Sequence, residues 1–153
     1  MKKRFILILF FGWIWVGCGC GAEREIDWTE TEHEVVNDVS KVMMDVKDGT
    51  VTPTGLTVIL ENSADKEWIY SEDFLLEKNV DGVWRQIPVE TSYGFEDIGY
   101  VLEPSSESEW SVDWEWLYGS LNAGTYRIVK SVLDSDQQGH VETYDLAAEF
   151  TVE

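Results

Sequence analysis

The chain has 153 residues, 44% of them apolar and 13% aromatic, which suits one domain with a packed core and argues against global disorder. Eleven Lys and Arg face 30 Asp and Glu, a net charge of -19. Removing the first segment with Lys2, Lys3 and Arg4 leaves 8 basic against 30 acidic residues, or -22, a surface that repels phosphate backbones and anionic lipid headgroups and so excludes a nucleic-acid binder.

The first element is "MKKRFILILFFGWIWVGCGC". A basic stretch, Lys2 to Arg4, precedes an apolar run from Phe5 to Val16. That run is shorter than the roughly 20 residues of a membrane-spanning helix and has the length of an export-signal core. Its end, Val16-Gly17-Cys18, resembles the lipobox of bacterial lipoproteins, although Trp15 stands where that family usually has Leu. The alternative, Gly19-Cys20, matches less well. The resemblance implies residues 1–17 as a signal peptide, a diacylglyceryl thioether on Cys18 and a palmitate-type acyl group on its amine. Two chains anchor stably where one is marginal. A plain secretory signal or an uncleaved N-terminal anchor is the competing reading. Cys18 and Cys20 are the only cysteines, so the remaining chain has no disulfide, no thiolate metal site and no Cys nucleophile.

Residues 18–39 read as a lipidated N-terminus and an acidic spacer, extended by like charges. A single domain is expected over 40–153. There the apolar period is two. "VMMDV" places Val42, Met44 and Val46 on one face, and "LTVIL" does the same with Leu56, Val58 and Leu60. "EWIY" and "FLLEKNV" follow. In "VDGVW", Asp81-Gly82 between two β-type runs signals a hairpin. "VWRQIPV" is the return strand, with Pro88 near its end. Thr91–Gly99 is a long loop, and Pro104-Ser105 marks a turn. "GTYRIVKSVL" sets Tyr126, Ile128 and Val132 on one face. "VETYDLAAEFTV" is the last strand. These make about seven to nine short strands and no long helix, so the expected class is an all-β antiparallel sandwich.

"WSVDWEWLYG" is the densest aromatic stretch. Trp110, Val112, Trp114, Trp116 and Tyr118 share even parity, hence one face of a strand. That face is either core or a sugar-stacking platform, and a domain without disulfides favours core. Trp116 and Tyr118, nearest the turn, and Trp84 are the candidate ligand platform.

"LNAGTYRI" resembles the Leu-x-x-Gly-x-Tyr turn of immunoglobulin-like sandwiches, which implies that the Tyr126 phenol bonds nearby backbone. With "KVMMDVKDGTVTPTGLTVILEN", "WIYSEDFLLEKNVDGVWRQIP" and "YDLAAEFTV", the chain over about 40–152 resembles a bacterial immunoglobulin-like domain found in uncharacterised Bacillus-type lipoproteins. The resemblance implies a β-sandwich at the outer face of a membrane; it implies no known activity and no known functional residues to carry over. A weaker likeness is to the intracellular proteinase inhibitors of bacilli, on shared fold.

Catalytic motifs are missing from the sequence: His33 and His140 are the only histidines, and no His-x-x-x-His, Cys-x-x-Cys or Gly-x-Ser-x-Gly occurs. "DSDQQGHVETYD" sets Asp134, Asp136, Gln138, Gly139, Glu142 and Asp145 at calcium-loop spacing. Gln138 and Asp145 depart from the usual ligands and both flanks read as strands, so an ordinary polar hairpin is the preferred reading. The expectation is a lipid-anchored, extracytoplasmic, non-enzymatic module without a cofactor. Its partners are the membrane, through the anchor, and a cell-surface protein or glycan. A carbohydrate or cell-wall binder and a proteinase-inhibitor-like module using Thr91–Gly99 are the alternatives.

Overall fold

The computed structural model describes residues 28–89, 94–95, 98–135 and 139–153. Residues 1–17, Cys18, Cys20, the first half of the spacer, Asp136, Gln138 and most of the Thr91–Gly99 loop lie outside the described residues. The elements in order are β1 (Val42–Val46), β2 (Gly55–Asn62), β3 (Trp68–Ser71), β4 (Leu75–Val80), β5 (Val83–Gln86), β6 (Gly99–Leu102), β7 (Ser106–Asp113), α1 (Glu115–Tyr118), β8 (Gly124–Ser135) and β9 (Val141–Val152).

The strands form two antiparallel sheets. The smaller has the order β1-β2-β7. The larger is built around β8, which pairs with β9 from Gly124↔Val152 to Ser135↔Val141. Its other edge pairs with β4 over Tyr126–Val129 and then with β3 at Val132 and Leu133, so β3 and β4 lie end to end. β5 extends the sheet beyond β4, and β6 extends it beyond β3. This is the all-β sandwich that the two-residue period predicts.

The inward faces follow parity. Val42 and Met44, Leu56, Val58 and Leu60, Trp68 and Tyr70, Tyr126, Ile128 and Val132, and Leu146, Ala148, Phe150 and Val152 make one buried cluster. Removing each such aliphatic side chain from water contributes on the order of 1.5–3 kcal/mol, set against the entropy of ordering the chain. The Asp81-Gly82 hairpin forms as expected. Asp81 and Gly82 have φ of 54° and 85°, as a two-residue primed turn requires, and the Asn79 side chain accepts the Gly82 amide at 2.9 Å. The tyrosine corner forms too: the Tyr126 hydroxyl donates to the Asn122 carbonyl at 2.7 Å.

The aromatic stretch departs from the strand expectation. β7 stops at Asp113, opposite Gly55, the first residue of β2; one more backbone bond, from the Trp114 amide to Thr54 O (2.8 Å), closes the pair before the Thr52–Gly55 turn carries the partner chain away. Asp113 Oδ1 then accepts the Glu115 amide at 2.9 Å and the chain turns into α1, which ends at Gly119 with φ 67°. Trp110 and Trp114 are core, as the parity suggests, but Trp116 and Tyr118 follow helical rather than strand geometry.

Candidate functional site

Residues 28–39, expected as part of a free spacer, are laid across the outer face of the larger sheet. Thr29 O accepts from the Gln86 amide (2.9 Å) and the Thr31 amide donates to Trp84 O (3.0 Å), so the segment begins as an added edge on β5. It ends against β9, where the Asn37 side chain bonds both backbone groups of Ala147, at 3.0 and 2.9 Å. Between these points His33 Nδ1 lies 2.6 Å from Asp145 Oδ2. Acidic composition conceals this, because the attachments are mainly backbone bonds and one Asn.

Beneath this strap lies a charged pair on the sheet face that would otherwise meet solvent. Glu77 and Arg127 are cross-strand partners, 0% and 6% exposed. Arg127 Nε donates to Glu77 Oε2 at 2.6 Å. Its Nη2 donates to Thr31 Oγ1 (3.2 Å) and His33 O (3.0 Å), and the guanidinium sits 4.7 Å from the Trp84 ring centroid. Arg127 therefore ties β4, β5, β8 and the strap at one point.

A second buried cation occupies the core face. Lys130 is 1% exposed and stands between Ile128 and Val132 in the inward parity. Its ammonium donates to the carbonyls of Ser71 and Asp73, and lies 3.7 Å from the Trp110 ring centroid. It thereby clasps the break between β3 and β4. Burial lowers its pKa to about 8, against the pull of Asp73 and Glu72. The signal in the sequence is parity alone: a lysine at an even position in a strand whose even face is core.

An aromatic flank surrounds α1. Phe74 packs on Trp110 at 5.6 Å and on Phe95 at 5.5 Å, and Phe95 meets Trp116 edge-on at 6.3 Å. Trp28, Leu75, Ile87, Pro88, Val89 and Tyr118 help line a cleft of about 470 Å³ beside it.

The three platform candidates do not form a row. Trp116 is 52% exposed, with its indole N–H donated to Asp113 O. Tyr118 is buried, and its oxygen accepts the Leu76 amide at 3.3 Å. Trp84 lies half-buried under Arg127, on the other side of β5. Of the calcium candidates, Asp134 is opposite Glu142 whereas Asp145 is opposite Ser131, three positions along the ladder and therefore on the other face. Asp134 pairs with Lys66, and Asp145 accepts from Ser131 Oγ at 2.8 Å while also facing His33. Among the described residues no three His, Cys, Asp or Glu side chains are grouped to hold a metal ion.

Two packed antiparallel sheets with a tyrosine corner define an immunoglobulin-like module. The family model described as Bacterial Ig-like domain matches residues 38–151, and the chain belongs to that family. Neither a curated protein nor a solved structure matches it.

Proposed function

We propose that the protein is a lipid-anchored module on the extracytoplasmic face of a bacterial membrane, acting by binding or structural presence rather than catalysis. The observation that carries this reading is the combination of an N-terminus ending in Gly17-Cys18 with an Ig-like sandwich over 38–151. The buried ionic groups fit a structural role, since Arg127 and Lys130 join separate segments of chain. The partners proposed are the membrane, through the Cys18 anchor, and a cell-surface protein or glycan.

The test is the intact mass of the protein extracted from bacterial membranes. The expected mass is that of residues 18–153 plus a diacylglyceryl group and an acyl chain. A lipid-free mass, or one beginning elsewhere, removes the anchor from the reading. A second reading, a glycan contact, draws on the exposed indole of Trp116. Binding of cell-wall fragments that is lost in Trp116→Ala, measured by calorimetry, would favour it.

A further inference from the structure

Among the described residues, three buried side-chain polar atoms have no hydrogen-bond partner in the protein: Glu77 Oε1, Trp68 Nε1 and Asp134 Oδ1. The first belongs to the Arg127 pair under the strap, where the other Glu77 oxygen is bonded. The remaining two line one cleft of about 310 Å³, and every residue of that lining is described. Five segments meet there: residues 38–41 after the strap, residues 64–66 ahead of β3, Trp68 at the start of β3, Asp134 near the end of β8 and Tyr144 on β9.

A buried donor or acceptor left unpaired opposes folding, so two in one place call for an explanation. An indole N–H only donates, and a carboxylate oxygen only accepts. A group that meets both must accept and donate, as a hydroxyl does. Charge narrows the choice further. Lys66 already pairs with Asp134 through Oδ2 and stands 5.1 Å from the Trp68 ring centroid, so Oδ1 has a cation beside it and lacks only a hydrogen-bond donor. An anion would meet the carboxylates of Asp38, Asp65 and Asp134 against only Lys41 and Lys66. Trp68, 4% exposed, meets Tyr144 edge-on at 5.7 Å, which gives the cleft an apolar wall beside its polar pair. One bridging water, at roughly 30 Å³, would fill about a tenth of the space. The volume is at the small end of ligand pockets, about 300–1,000 Å³, and suits a single ring.

We propose that this cleft binds a neutral, hydroxyl-rich ligand, one residue of a saccharide, with Trp68 Nε1 donating to it and Asp134 Oδ1 accepting from it. Lys66, half exposed and set against both residues, is the part of the lining that shifts on its flexible stem to admit the ring. The proposal rests on the glycan partner named above and places its contact here, in a lining that does not include Trp116.

The experiment titrates the full chain, held in a detergent without a sugar headgroup, with chitotriose and maltotriose, and with acetate and glycine as charged controls. Calorimetry reads affinity. The indole N–H resonances read the site, with Trp68 assigned by its loss in Trp68→Phe. The expected result is saturable binding of at least one of the two sugars and a shift of the Trp68 N–H resonance. Binding should weaken about tenfold in Trp68→Phe and in Asp134→Ala, the equivalent of one hydrogen bond, and stay unchanged in Trp116→Ala. Near-ultraviolet circular dichroism checks the fold of each variant, and the shift in the parent needs no substitution. A Trp68 resonance that neither sugar moves overturns the proposal, as do undiminished binding in both variants and tighter binding of acetate or glycine. Sugar binding lost in Trp116→Ala but kept in Trp68→Phe also overturns it, while leaving the glycan partner standing.

Discussion

Replacing Glu77 by Gln tests whether the strap is held by the buried ion pair beneath it. Gln keeps the volume and removes the charge, so Arg127 retains Thr31, His33 O and the Trp84 ring but loses its carboxylate. Arg127 is almost wholly buried, so water does not replace the lost partner. Breaking one side of such a pair costs about 3–5 kcal/mol. The backbone bonds of Thr29, Thr31 and Asn37 hold the strap independently, so the lower end, about 3 kcal/mol, is expected. For a domain of this size that is a fall in Tm on the order of 10 °C. The assay is urea unfolding of the parent, Glu77→Gln, Arg127→Met and the double variant Glu77→Leu/Arg127→Met. The double variant should be less destabilised than the sum of the singles, because no unpaired charge remains. Amide exchange at Thr31 should accelerate in Glu77→Gln more than at Ile128. A cost below about 1 kcal/mol, or strict additivity, would refute the idea that the pair is a coupled clasp.

Lys130 should leave a mark on the pH dependence. Its folded pKa of about 8 lies below the unfolded value, so the unfolded chain binds more protons between the two. Stability should therefore rise from pH 8 towards pH 10, by up to about 1.4 kcal/mol per pH unit from this group, and Lys130→Met should lack that component of the slope. Equal slopes in parent and variant would refute it. Tyr126→Phe removes the bond to Asn122 O and should cost about 1 kcal/mol in urea unfolding with the fold retained. Gly55→Ala should cost about 2 kcal/mol or more, since a Cβ there would lie 2.5 Å from Val112 O and would force β2 and β7 apart. An unchanged midpoint would show that the strand pair relaxes freely.

Much of the sandwich was legible because strand parity is a local property. Leu56, Val58 and Leu60 need only their own spacing to declare a face, and Asp81-Gly82 needs only its neighbours to declare a turn. The tyrosine corner is similarly local, with Tyr126 reaching back to Asn122. The platform candidates fared differently. Even parity joined Trp114, Trp116 and Tyr118 in one row, yet β2 begins at Gly55 and its pairing with β7 closes at the Trp114 amide. Where a strand loses its partner is a fact about another part of the chain.

By itself, then, the sequence determined the class of fold, the inward faces of most strands, the lack of any disulfide in the domain and the acidity of its surface. Each follows from composition or from contacts within a few residues. Only the tertiary structure decided that Lys130 is a core clasp, that Glu77 and Arg127 are buried on an outward face, and that half of an apparent spacer is a strap. Strand alternation tells which side a residue takes. It does not tell what covers that side, and here the cover comes from residues some 40 to 100 positions away in the chain.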